Sequence, residues 1–431
     1  MNQRQQEREK QQNDKAQAEA QARGIHDVVK QHYNAVPQRG KEWRKTESNI
    51  RGLRSFNNWI KSAVIQKFSP APSYAPGARE RGQREEGRGL LVLDLGCGKG
   101  GDLQKWHACP QTVELYVGLD PADVSIDQAR ERYAEMLRNP RRGPRERFPP
   151  RLFHGEFVVK DCFGEWIGDI PIIQQVGIDP SVGPNNGGMN ARFGGGGFDV
   201  VTMMFSMHYA FESEVKARGM LRNVAGALKK GGRFIGVVPN SDVLSAKVVE
   251  YNAERAKSAA QNGNSTSGAS NEDDDDEWDP EKTLDAPAPA ATEASTDNTN
   301  NDNTPDPLSW GNSIYKVKFP GSVPHDGIFR PPFGWKYFFF LEEAVEQVPE
   351  YVVPWEAFRA LAADYDLELQ YRKPFEEIYD HEKNDPILGP LSERMGVRQR
   401  RDAFGNEGGL LVNNEELEAA NFYHAFCFYK V

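Results

Sequence analysis

Apolar residues along the chain fall into short blocks, and the spacing inside each block separates strands from helices. Leu90-Leu91-Val92-Leu93 is unbroken and apolar, as expected of a buried parallel strand. Val113 to Leu119, Glu156 to Val159, Phe198 to Phe205 and Arg233 to Val238 are four further strand-like runs. Between them lie stretches with helical spacing: Asp102 to Trp106, Val124 to Leu137, and a segment that runs to Lys230 before Gly231-Gly232. Strands alternating with helices predict an α/β fold with a doubly wound parallel sheet and right-handed crossovers. Upstream, Ser48 to Phe68 reads as a helix with Ser48 as its N-cap. Its apolar stripe is Leu53, Phe56, Ile60 and Ala63/Val64, while Arg54, Asn57, Asn58 and Lys61 share another face. That polar face is either solvated or a ligand surface, and the two asparagines favour a ligand, since Asn is a mediocre helix former. Downstream, Ser313 to Phe319 and Trp335 to Leu341 alternate as strands. Glu342 to Val348 reads as a short helix, Pro349 to Pro354 as an extended turn, and Trp355 to Ala363 as a helix. Asn421 to Lys430 closes the chain as an aromatic strand.

Composition removes parts of the chain from the folded core. Residues 1–24 are Gln, Glu, Lys, Arg and Ala with almost no large apolar side chain, so a disordered tail is expected there. One domain is then expected over 25–431, interrupted by flexible insertions at about 178–197, which is Gly-rich, and 261–308. The formal net charge of −10 argues at first against a nucleic-acid partner. Residues 261–310, however, hold thirteen Asp and Glu and a single Lys, which leaves the rest of the chain at +2. No apolar run approaches the roughly 18 residues of a membrane span, and the first residues lack an apolar signal core. A soluble protein that is not secreted is expected. Cys97, Cys109, Cys162 and Cys427 are scattered, so reduced core thiols are expected in place of disulfides or a metal site.

The chemistry concentrates after the first strand. Leu95-Gly96-Cys97-Gly98-Lys99-Gly100-Gly101 lets the backbone turn sharply against a ligand and open a helix. Gly96, Gly98 and Gly101 also satisfy the dinucleotide fingerprint, so a nicotinamide or flavin cofactor is one reading. Asp94 before the glycines, and Asp120 closing the second strand about 20 residues on, suit an adenosine whose ribose hydroxyls need an acceptor. Asp-Leu-Gly-Cys-Gly-Lys-Gly looks like the first motif of class I S-adenosylmethionine (AdoMet) methyltransferases, and a plain tight turn is the third reading. His208 and Tyr209 leave the carboxyl end of the fourth strand, where ligands of doubly wound sheets sit. No Ser/His/Asp, Cys/His or metal constellation lies near the motif.

Several segments together resemble the mRNA cap guanine-N7 methyltransferase family: His32-Tyr33-Asn34, Leu53 to Lys61, Asp94 to Asp102, Phe205 to Ser213, Pro349 to Val353 and the closing Phe-x-Phe-x-Lys strand. The resemblance implies a mostly parallel, seven-stranded class I sheet with an antiparallel C-terminal strand. It implies AdoMet as cofactor, held by Lys61 (carboxylate), Gly96 (turn), Asp120 (ribose) and Asp161 (adenine amine), with Met204 and Tyr209 bordering it. Met204 departs from the Gln usual in the family. Asn57 and Asn58 would meet the cap, Lys99, Lys105 and Arg132 its triphosphate, and His208, Glu350 and Tyr423 its guanine. The implied partner is 5′-capped RNA, with other capping enzymes or the transcription machinery as candidates, in a nuclear monomer. The alternatives are an AdoMet enzyme acting on another substrate and a noncatalytic cap-binding module.

Overall fold

The structure is a computed structural model that describes residues 25–35, 46–72, 89–139, 152–184, 196–263, 307–401 and 408–431, with isolated positions 40, 43 and 74. Residues 1–24, and all but the ends of the two predicted insertions, lie outside the described residues. Helix α1 (Ile25–Ala35) and helix α2 (Arg51–Phe68) precede the strands. They are followed by β1 (Leu90–Leu95), α3 (Leu103–His107), β2 (Val113–Asp120), α4 (Asp123–Arg138), β3 (His154–Val159), α5 (Pro171–Val176) and β4 (Phe198–Met204). A 3₁₀ turn (Met207–Glu212), α6 (Glu214–Ala227), β5 (Leu228–Pro239) and α7 (Ser241–Gly263) continue the chain. A second sheet follows: β6 (Ser309–Gly311), β7 (Tyr315–Lys318), β8 (Lys336–Leu341) and β9 (Val345–Tyr351). The chain ends with α8 (Trp355–Ala363), β10 (Leu367–Pro374), α9 (Phe375–Glu382), α10 (Leu388–Met395), α11 (Asn414–Asn421) and β11 (Tyr423–Lys430).

The large sheet runs β10-β11-β5-β4-β1-β2-β3. Strands β1 to β5 pair in parallel, and β11 is antiparallel to both of its neighbours. This is the expected seven-stranded, mostly parallel, doubly wound sheet. All six residues of β1 are buried. Leu90 and Val92 enter the core on one face, and Leu91, Leu93 and Leu95 the core on the other. A strand buried on both faces needs an unbroken apolar run, which is why β1 shows no alternation.

Helix α2 covers the first face with Leu53, Phe56, Trp59, Ile60, Ala63 and Val64, all buried. Each large side chain among them contributes about 1.5–3 kcal/mol. Ser48 does not cap this helix. Ile50 stands at the N-cap, and the Ser48 hydroxyl donates to Glu343 instead.

Two other expectations change. Glu342 to Val348 is not a helix: β8 ends at Leu341, Glu343 takes φ 61°, and β9 begins at Val345. Pairing with β8 satisfies that backbone better than an isolated turn of helix could. Leu367, Leu369 and Tyr371 alternate with polar residues, and Leu367 to Pro374 forms the outer strand β10 against β11. Helix α7 extends to Gly263, into the start of the stretch expected to be flexible, and Ile178 at the start of the other is buried. Among the described residues, no helix is long and apolar enough to cross a membrane.

Candidate functional site

A cleft of about 460 Å³ opens at the carboxyl ends of β1, β2 and β4, with α1 and α2 along one side. The turn after β1 forms its floor. Gly96 has φ 76°, and a Cβ there would come within 2.6 Å of the Ser206 side chain, so only glycine lets β1 and the end of β4 approach so closely. The Gly96 and Cys97 N–H groups donate to the Leu119 carbonyl at 2.8 and 3.0 Å, which ties the turn to the end of β2. Asp120 finishes the same strand. Its carboxylate accepts the Gly98 N–H at 2.9 Å and the Ala122 N–H at 2.8 Å.

Burial raises the Asp120 pKa from the ordinary 3.8 to about 6, against the lowering effect of those two N–H groups. The group is ionised above that pH and accepts a proton as pH falls through it. If Asp120 must be ionised to accept ribose hydroxyls, AdoMet affinity is full above about pH 6 and falls by about tenfold per unit well below it. Calorimetric AdoMet titrations from pH 8 to 5 check this, and Asp120→Asn should flatten the dependence. A profile unchanged in Asp120→Asn would assign the titration to another group, such as Asp94.

Asp94 is buried and takes a hydrogen bond on each oxygen, from Tyr116 at 2.6 Å and Thr202 at 2.9 Å. Burial, then the charge of Asp102, push its pKa up. With both oxygens engaged, Asp94 braces the sheet beneath the turn and does not face the cleft.

The polar face of α2 does point into the cleft. Arg54, Asn57, Asn58 and Lys61 all line it, with Gly96, Lys99, Asp120, Arg132, Met204 and Tyr209. Lys61 donates to Asp102 at 2.8 Å. Lys105 is spent differently from the expectation: it pairs with Asp102 at 2.8 Å and donates to Asn58 Oδ1 at 2.8 Å and to the Gly101 carbonyl at 3.1 Å. Burial opposes ionisation of Asp102, but the ammonium groups of Lys105 and Lys61 hold it well below the carboxylate range. Lys105 therefore sits behind the wall and orients Asn58. Asp161 is also outside the cleft walls; it lies just past β3 and accepts the Phe163 N–H at 2.9 Å.

His208, Glu350 and Tyr423 form a second group, buried beside the cleft. Glu350 on β9 is 3% exposed, accepts the Tyr337 hydroxyl at 2.8 Å and lies 3.5 Å from His208 Nε2. Both His208 ring nitrogens lack a hydrogen-bond partner among the described residues, although the side chain is 2% exposed. Buried polar atoms without partners are costly unless a ligand meets them. Tyr423 packs edge-on to Phe205 at 4.9 Å and stacks on Phe375 at 6.0 Å.

Phe205 joins the two groups, because it also lines the cleft and lies 5.7 Å from Lys61 Nζ. It holds φ 66°, a strained value for a residue with a Cβ, at the carboxyl end of β4. It was legible only as the first residue of the Phe205 to Ser213 motif. Tyr33 was legible only as part of a motif; its hydroxyl meets that of Tyr209 at 2.9 Å and brings α1 to the cleft. Glu343 and Ala344 of the β8–β9 turn also reach the cleft, which the expected helix over 342–348 concealed.

The cleft fits AdoMet on its own geometry. A glycine turn leaves backbone next to open space at Gly98, a carboxylate with unused acceptor capacity ends β2, and a cation on α2 faces them.

Residues 16–277 and 289–431 match the family model of the mRNA (guanine-N(7))-methyltransferase domain. The chain is 60% identical to an mRNA cap guanine-N(7) methyltransferase of Aspergillus clavatus over 441 residues, covering 100% of the chain and 74% of the relative. A protein of the same name from Aspergillus fumigatus is 59% identical, with 100% of the chain and 61% of the relative covered. One from Schizosaccharomyces pombe is 38% identical over 94% of the chain and 82% of the relative. A solved S-adenosylmethionine-dependent methyltransferase from Clostridium acetobutylicum is 10% identical, covering 90% of the chain and 96% of its own, with TM-score 0.36. The fold rests on the strand order given above.

Proposed function

The chain belongs to the mRNA cap guanine-N7 methyltransferase family, whose cofactor is AdoMet, and from that premise we propose how its cleft methylates the 5′ GpppN end of an RNA. The observation that carries the reading is the buried His208–Glu350–Tyr423 group set against a glycine turn and Asp120. AdoMet supplies a methyl group on a positively charged sulfur. Gly96, Asp120 and Lys61 hold that cofactor, with Tyr209 and Met204 at its border and Asp161 reaching the adenine from the rim. Met204 contributes an apolar contact in this chain, since a thioether cannot replace an amide as a hydrogen-bond donor.

Guanine N7 has a lone pair and no proton to lose. No general base is then required, and holding the reactants in line can contribute up to about 7–11 kcal/mol. The side chains supply that alignment. Glu350 accepts from the guanine N1 and N2 donors, His208 meets the base with a ring nitrogen, and Tyr423 walls the base with Phe205. As N7 is alkylated the purine gains positive charge, which the Glu350 carboxylate stabilises most strongly in the transition state. Asn57 and Asn58 contact the cap from α2, and Lys99 and Arg132 neutralise its triphosphate. Lys105 acts through Asn58.

Incubation with labelled AdoMet and GpppG- or GpppA-ended RNA tests this. Label should appear in the cap guanine of both, and label elsewhere, or none, would overturn it.

The phosphate assignments separate by salt. Lys99→Ala and Arg132→Ala should each weaken capped-RNA binding and reduce the slope of log affinity against log salt by about 0.7–1. Lys105→Ala should lower affinity through Asn58 while leaving that slope nearly intact. Fluorescence titrations at several salt concentrations distinguish the two patterns. With this substrate the reading carries a nuclear location, a monomer and contacts with other capping enzymes or the transcription machinery.

A further inference from the structure

The turn between β8 and β9 holds more of the site than its three residues suggest. Glu343 sits there with φ 61°, left-handed for a residue with a Cβ, and its side chain is only 7% exposed. Both carboxylate oxygens are engaged by the start of α2. The Ser48 hydroxyl donates to Oε2 at 2.6 Å, and the Asn49 backbone N–H donates to Oε1 at 2.9 Å. Arg54 Nη2 lies 3.4 Å from Oε2 and 3.3 Å from the Glu343 carbonyl. The Asn49 side-chain amide reaches Glu342 at 2.8 Å. On its other side, the strand that leaves the turn, β9, packs against α1. The turn thus fastens α2, which brings Asn57, Asn58 and Lys61 to the cleft, and its outgoing strand packs on α1, which brings Tyr33. The strand leaving the same turn carries Glu350.

We propose that Glu343 is a positioning residue for capped RNA, one that registers the polar face of α2 against the strand that reads the base. This rests on the cap reading given above. A guanine joined to a triphosphate has a fixed reach, so the groups that take the base and those that take the phosphates must be held at a matching separation. An exposed ion pair would do this poorly, being weak and screened. Here the carboxylate is desolvated and meets several donors at once, and truncating it leaves those donors unmet. Asp120 and Gly96, at the ends of β2 and β1, take no bond from this turn, and Lys61, the cofactor contact carried by α2, is anchored separately by Asp102 at 2.8 Å.

The full chain tests it, with KM for GpppG-RNA, kcat, calorimetric AdoMet affinity and Tm measured together. Glu343→Ala should raise KM for the capped RNA about tenfold, as expected for a lost charge-assisted contact, with AdoMet affinity within about twofold of the parent. Glu343→Gln retains an acceptor for the Asn49 N–H and should recover most of that loss. Ser48→Ala should raise KM about threefold alone and add little to Glu343→Ala, because the two share one bond. An unchanged KM in Glu343→Ala, or AdoMet affinity falling by the same factor as KM, would overturn the assignment and leave Glu343 a fold-stabilising residue. If Glu343→Ala does not fold, Ser48→Ala decides by the same two measurements. A parental protein inert on GpppG-RNA would overturn the reaction itself, and the Glu343 assignment with it.

Discussion

Glu350→Gln is expected to slow methylation of GpppG-ended RNA by about 2–4 kcal/mol of barrier, a loss of about 30- to 1,000-fold, with AdoMet affinity near the parental value. The substitution keeps the shape of the side chain and an oxygen for the Tyr337 hydroxyl, which now donates to Glu350 at 2.8 Å. It removes the negative charge and one acceptor. At 3% exposure the carboxylate is shielded from water, so little solvent screening would weaken its interaction with a purine becoming cationic. The loss should fall mainly on kcat, because that charge is greatest in the transition state. Single-turnover rates with saturating AdoMet check it. A parental rate, or acceptance of an adenine cap as readily as a guanine one, would place the guanine reader elsewhere.

The second large effect is expected at Asp120. Asp120→Ala should weaken AdoMet binding about 10²-fold, since a ribose diol loses a charged acceptor and two hydrogen bonds of about 1.5 kcal/mol or more each. Capped-RNA affinity should change by only a few-fold. The geometry adds a second route to the same loss: the carboxylate also holds the Gly98 and Ala122 N–H groups, so alanine loosens the turn as well. Asp120→Asn separates the two, since an amide oxygen can keep one of those N–H bonds while the charge is gone. Calorimetry showing unchanged AdoMet affinity in Asp120→Ala would overturn the cofactor assignment.

Much of the cofactor side was legible because it depends on neighbours in sequence. The apolar run of β1, the glycines after it and Asp120 at the end of β2 lie within 31 residues of one another and occur as a strand, turn, helix and strand. The cleft-lining face of α2 was legible for a similar reason: helical periodicity assigns Leu53, Phe56 and Ile60 to the core and leaves Arg54, Asn57, Asn58 and Lys61 together. Of the His208, Glu350 and Tyr423 group, only His208 was placed near the site by the strand pattern, and the other two came through the family resemblance. Nothing local marks Glu350, which is separated from His208 by more than a hundred residues and meets it only across two sheets.

Local pattern also misled where polar residues serve an edge or a turn. Glu342 to Val348 has the composition of a short helix, yet the backbone from Val345 onward gains its hydrogen bonds from β8, the strand just upstream of it. The resemblance implied Lys105 along the triphosphate; in the structure its ammonium pairs with Asp102 and donates to Asn58.

By itself the sequence determined the α/β alternation, the glycine turn, the acceptor at the end of β2 and the amphipathic face of α2, because dihedral preference and apolar periodicity act over a few residues. Only the tertiary structure decided that Glu350 and His208 lie 3.5 Å apart in the buried interior with Tyr423 nearby, that Asp102 absorbs Lys61 and Lys105, that Phe205 is held at positive φ, and that Glu343 fastens α2. Those outcomes depend on which charges lose their water and which partners replace it, and that is settled when distant segments close on one another.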